Sequence, residues 1–144
     1  VKIETDYYIW SKGDRVKINE YFSTHEFTCQ CEHADCITQK VSVELINKLT
    51  TLRKLMNTPA KVTSGFRCRK HQEDIRNSGV STVVAKVSQH ELGNAADIKF
   101  GTLAVADWLD EAKKLFDYIG IAKTFLHLDT RKAKVKGQHV TWSY

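Results

Sequence analysis

Two histidines and an aspartate are the residues whose types and spacing could do chemistry together. They lie in Ser88-Gln89-His90-Glu91-Leu92-Gly93-Asn94-Ala95-Ala96-Asp97 and in Phe125-Leu126-His127-Leu128-Asp129. Zinc binds imidazole nitrogen and carboxylate oxygen readily, and a catalytic zinc site takes three protein ligands and keeps one position open for water. His90 and Asp97 are too far apart to share one helical turn, but Gly93 permits a sharp reversal of the chain between them. Asp97 would then project from a strand toward a histidine in the preceding loop. His127 would come from a neighbouring strand on which Phe125, His127 and Asp129 share a face. A lone histidine is more often a surface or core residue than a ligand. Asp97, flanked by Ala96 and Ile98, is harder to dismiss, because an ionised carboxylate in a half-buried strand needs a metal or another partner. Spacing alone leaves metal binding an open question.

A second cluster is sulfur. Cys29, Cys31 and Cys36 fall within Phe27-Thr28-Cys29-Gln30-Cys31-Glu32-His33-Ala34-Asp35-Cys36, and Cys68 follows Arg67. Three states are compatible with this pattern. The thiols are free or loosely paired; or the four thiolates, or three with His33, hold a structural zinc; or they form disulfides. Cysteines one residue apart rarely bridge each other, so disulfides would join Cys29 and Cys31 to Cys36 and Cys68. The metal spacing is tighter than the common C-x-x-C knuckle, and no secretion signal is visible to favour disulfides. In any of these states Cys68 would tether the N-terminal segment beside Arg67 and stiffen it.

The elements that must position these groups follow from periodicity. Leu45, Ile46, Leu49, Leu52 and Leu55 recur at helical spacing, predicting a helix over 43–57 with Ser42 as N-cap. Asn57-Thr58-Pro59 ends it, because the residue before proline is pushed out of the helical region. Lys61-Val62-Thr63 reads as a short strand, and a second helix over 70–77 closes at Gly79. Ala95 to Phe100 is a strand stopped by Gly101. A third helix is expected over 103–116, with Ala106, Leu109, Ala112 and Phe116 on its apolar face. Strands are expected over 118–121, 125–129 and 139–142. Helices and strands without regular alternation give an α+β fold: a small, largely antiparallel sheet with flanking helices.

With 144 residues, 42% apolar and 27% charged, the chain suits one globular domain spanning 1–144. No repeat, low-complexity tract or linker divides it. No apolar run approaches the ~18–20 residues that cross a bilayer, and Val1 to Asp6 lacks the apolar core of a secretory signal. The net charge is +5. A basic surface favours polyanions such as nucleic acid, phospholipid or an anionic wall. The basic residues are spread along the chain, however, with the densest cluster at Arg67–Lys70, and no nucleic-acid motif is present. A generally solvated basic surface is the plain reading.

Three stretches together carry a resemblance: Thr63-Ser64-Gly65-Phe66-Arg67, Ser88-x-His90-x-x-Gly93-x-Ala95-x-Asp97-Ile98, and Phe125-x-His127-x-Asp129-Thr130-Arg131. They resemble the M15 family of zinc peptidases, which includes D-alanyl-D-alanine carboxypeptidases and phage endolysins. The similarity runs from about residue 21 to 131, leaving 1–20 as an N-terminal extension. It implies a fold like that of hedgehog signalling domains and D-Ala-D-Ala peptidases, and a catalytic Zn2+ held by His90, Asp97 and His127.

The resemblance further implies hydrolysis of amide bonds in peptidoglycan stem or cross-link peptides, by a carboxypeptidase or an endopeptidase of endolysin type. The expected enzyme is a monomer acting at the cell wall, outside the cytoplasm or delivered by phage. Arg67 matches the family arginine that supports the oxyanion or holds a substrate carboxylate. Ser88 is a candidate for bonding the substrate backbone, or for capping the turn before His90. Relatives place an acidic residue or histidine shortly before the last ligand, whereas Lys123, Thr124, Phe125 and Leu126 stand here. Asp129 is therefore the candidate general base, with orientation of a ligand as its alternative role and His139 in reserve. A zinc-stabilised binding domain without turnover, or a structural virion component, is the alternative function.

Overall fold

The computed structural model describes residues 1–78 and 88–144. The described residues form two sheets and four α-helices, the α+β class that the unalternating pattern implies. The helix expected from leucine spacing is present as α2, Val43–Met56, and buries Leu45, Ile46, Leu49 and Leu52. Ser42 caps it, its side chain accepting from the Leu45 amide at 3.2 Å, an interaction of about 1 kcal/mol. Asn57 ends it in the left-handed conformation, which asparagine tolerates better than most residues.

The five-stranded sheet carries the site. Its order is β4 (Ala60–Ser64), β5 (Ala95–Phe100), β7 (Leu126–Asp129), β6 (Tyr118–Ile121) and β8 (Val140–Ser143). All pairings are antiparallel except β6 with β8, which is parallel. Strands β5 and β7 are covered on both faces, although each carries polar residues of the site: β7 is buried throughout, and β5 is buried except at Lys99.

The structure holds elements beyond those expected from the sequence and breaks one that is expected. The N-terminal extension, residues 1–20, contributes β1 (Lys2–Glu4) and β2 (Tyr7–Ser11), which form a three-stranded antiparallel sheet with β3 (Thr38–Ser42). Trp10 joins the same buried cluster as Leu45, Ile98 and Phe116. A short helix α1, Thr24–Phe27, follows and opens on a capping box between Ser23 and Glu26. The third long helix is also broken, into a 3-10 turn at Val105–Asp107 and α4 at Leu109–Lys113. Between them Trp108 leaves helical geometry, at φ −131°, and is fully buried edge-on to Phe100 at 4.8 Å. Burial of that large ring prevails over the moderate helix propensity of the segment. Helix α3 spans Arg69–Asn77; its expected closure at Gly79 lies outside the described residues.

Candidate metal centre

Asp97 and His127 are register partners on neighbouring antiparallel strands, so the two side chains emerge side by side on one sheet face. His90 reaches the same point from the turn before β5. That turn reverses at Gly93, whose φ is +76° and whose missing Cβ leaves room for the Lys40 backbone. The Ser88 hydroxyl accepts from the His90 amide at 3.1 Å and holds the start of the turn. This is the turn-capping alternative for Ser88, which also borders the cleft described below.

Three atoms converge. His90 Nε2 lies 3.1 Å from Asp97 Oδ1 and 3.2 Å from His127 Nδ1, and His127 Nδ1 lies 3.1 Å from the same Asp97 oxygen. The other ring nitrogens decide the proton positions. His90 Nδ1 donates to the Gly65 carbonyl at 2.7 Å, and His127 Nε2 donates to the Asp129 carboxylate at 2.8 Å. Each ring therefore turns a bare lone pair inward. Two lone pairs and a carboxylate oxygen then face one another in a buried space with no donor between them, an arrangement that a cation relieves. Edges of 3.1–3.2 Å are close to the ~3.3 Å that ligands ~2.0–2.1 Å from one tetrahedral ion subtend. The donor set and its spacing fit zinc.

The electrostatics agree. Burial would raise the Asp97 carboxyl, but His90 and His127 outweigh it and hold the group below the usual carboxylate range. Burial lowers His90, which favours its neutral, ligating form. Burial would also lower His127, but Asp129 and Asp97 outweigh it and raise the ring above its ordinary value. Without an ion this ring therefore favours a second proton, the positive charge that a cation at the same point would supply instead.

Asp129 is fully buried and fully engaged. Besides His127 it accepts from the Arg131 amide at 3.0 Å, from Arg131 Nε at 3.0 Å and from Arg131 Nη2 at 2.8 Å. Its carboxylate sits behind the His127 ring, on the side away from the converging atoms, and does not border the cleft. That placement suits orientation of a ligand rather than proton transfer. His139, the reserve candidate, also lies outside the cleft and contacts the Phe116 carbonyl through Nδ1 at 3.1 Å.

The cleft over the three atoms holds about 620 Å³. Arg67 forms one wall: its Nε donates to Ser64 Oγ at 3.1 Å and its Nη2 reaches Asp97 Oδ2 at 3.4 Å. Arg131, Tyr118, Trp142 and Tyr144 form the other. Arg131 stacks over Tyr118 at 4.3 Å, and the Trp142 ring lies 5.4 Å from His127. Gly120 makes this possible, since a Cβ there would fall 2.8 Å from the Trp142 indole. Sequence reasoning assigned no role to Arg131, Trp142 or Tyr144. Arg131 stands in a quoted motif, whereas Trp142 on the edge strand β8 and Tyr144 just after it carry no local signal.

Sulfur also converges. The thiol sulfurs of Cys29, Cys31, Cys36 and Cys68 all lie within 4.8 Å of one another, and no pair is bonded. His33 is not among them; it pairs with Asp74 at 2.7 Å.

A family model described as Peptidase M15 matches residues 20–129. No curated protein and no solved structure gives a significant match.

Proposed function

Because the chain belongs to the Peptidase M15 family, we propose that it is a zinc-dependent peptidase that hydrolyses amide bonds in peptidoglycan peptides, with His90, Asp97 and His127 as the ligands. The observation that carries this reading is the inward-facing set of two imidazole lone pairs and one carboxylate oxygen, open to a cleft. Zinc in such a site supplies a Lewis acid that polarises a carbonyl and acidifies water.

The chain's own residues supply the rest. The Gly65 carbonyl and the Asp129 carboxylate fix the two ring tautomers. The Arg67 guanidinium, held by Ser64 and Asp97, presents its fork to the oxyanion that forms as the amide is attacked, or to a substrate carboxylate. Arg131 offers a second cationic group across the cleft, which suits peptides bearing free carboxylates. The Tyr144 phenol, protonated at neutral pH as phenols ordinarily are, adds a hydrogen-bond donor to the lining. The wall-peptide substrate rests on the family's known members and on this paired cationic lining. Digestion of purified muropeptides by wild type and His127→Ala, with products read by mass, tests it. Cleavage by wild type alone supports the reading, and no product from any wall chemotype defeats it.

A specific observation favours the second reading, a zinc-stabilised binding domain. Among the described residues lining the cleft, the titratable groups other than the ligands are Arg67, Arg131, Tyr118 and Tyr144, with no spare carboxylate. Retention of muropeptides without turnover would establish it.

A further inference from the structure

We propose that Cys29, Cys31, Cys36 and Cys68 bind a second zinc ion in a tetrathiolate site that pins the 29–36 loop to the segment carrying Arg67. This site is separate from the peptidase centre and does not depend on that reading.

The first argument is spacing. Four thiolates ~2.3 Å from one tetrahedral ion have sulfurs ~3.8 Å apart. The Cys31 and Cys68 sulfurs are 3.6 Å apart, and no pair among the four exceeds 4.8 Å. A bonded pair would need ~2.05 Å. An iron–sulfur cluster would interpose its own iron and sulfide atoms and hold the cysteines further apart, so the compact arrangement fits a single ion.

The second argument is what surrounds the sulfurs. Each accepts or contacts an N–H group, as thiolates in a metal site do and as inert buried thiols need not. The Cys68 amide donates to Cys29 Sγ at 3.4 Å, and His71 Nδ1 lies 3.2 Å from the same sulfur. The His71 amide donates to Cys68 Sγ at 3.4 Å, and Gln39 Nε2 donates to Cys36 Sγ at 3.4 Å. The Lys12 ammonium lies 3.5 Å from Cys31 Sγ and also bonds the Cys31 carbonyl. Four thiolates and a divalent ion leave two negative charges, which these donors and the lysine offset.

The third argument is location. The loop that supplies Cys29 begins at Phe27, whose backbone abuts Gly65 so closely that a Cβ there would fall 2.5 Å from Phe27 Cα. The Phe66 amide donates to the Phe27 carbonyl at 2.8 Å, and the Arg67 amide donates to the His90 carbonyl at 3.2 Å. Cys68 is the N-cap of α3. A metal at the sulfurs would therefore join the ends of a segment that contributes both the carbonyl orienting His90 and the Arg67 guanidinium.

The test uses the full chain carrying His127→Ala, which weakens the other centre, expressed with zinc and purified under reducing, oxygen-free conditions. Elemental analysis should find about one zinc per chain, and zinc X-ray absorption should show a shell of four sulfurs at ~2.3 Å. Wild type should hold one zinc more. Four freely titratable thiols with no zinc, a nitrogen- or oxygen-dominated shell, disulfides by intact mass, or iron in place of zinc would each overturn the proposal. Because all cysteines are retained, the outcome does not hinge on whether a cysteine variant folds.

Discussion

His127 and Asp129 meet at 2.8 Å through the ring nitrogen that points away from Asp97, and Arg131 grips the far side of the same carboxylate through its amide, Nε and Nη2. The chain thus builds a relay of fixed orientation, from arginine to carboxylate to imidazole, with the imidazole's other nitrogen turned toward His90 and Asp97.

Asp129→Asn should lower zinc affinity about 10–100-fold, as loss of a group orienting a metal-bound histidine does. Much of the activity should return when zinc is raised to saturate the site. If activity on muropeptides stays absent at full zinc occupancy, Asp129 takes part in proton transfer after all.

Arg67→Ala should reduce turnover about 10²–10³-fold, the usual cost of losing a group that stabilises a developing oxyanion, while zinc content is kept. Arg67→Lys should restore little, because a point charge cannot reproduce a fork held between Ser64 and Asp97. Steady-state kinetics beside elemental analysis separate loss of chemistry from loss of metal.

Gly65→Ala should destabilise the fold by about 1–3 kcal/mol, since its methyl group would overlap the Phe27 backbone. The same change displaces the carbonyl that fixes His90 Nδ1, so zinc affinity should fall together with urea stability. A variant of unchanged stability and affinity would show that the end of α1 and the loop after β4 part without consequence.

Metal-free protein should be most stable near pH 6.5. His90 has a lowered pKa, so the unfolded chain binds more protons just below 6.5 and stability rises with pH there. His127 has a raised pKa, so its protonated form contributes stability below 6.5 that is lost as pH climbs through the folded value. Zinc replaces that proton, so the loaded protein should not weaken over the alkaline range. Thermal melts across pH, with and without chelator, measure both curves, and coincident curves would mean that no ion occupies the centre.

The leucine spacing of α2, the Ser42 cap and the reversal at Gly93 were legible in the sequence because each is a local consequence of residue type and periodicity. His90, Asp97 and His127 stand out in the sequence through the resemblance to M15 peptidases rather than through their spacing, and the structure brings the three together. Residues 103–116 read as one helix by periodicity, yet the structure breaks them at Trp108, whose burial against Phe100 prevails over continuing the helix.

The sequence by itself determined which side chains could ligate an ion and which strands and turns would carry them, since those properties reside in residue type and short-range pattern. Only the tertiary structure decided the roles of their neighbours. The Gly65 carbonyl behind His90, the doubly bound Asp129 behind His127, the aromatic wall from β8 and the gathering of Cys68 with the 29–36 loop all depend on strand register and on backbones brought together from distant parts of the chain. Such proximity is a property of packing, and it is fixed only when the whole core closes.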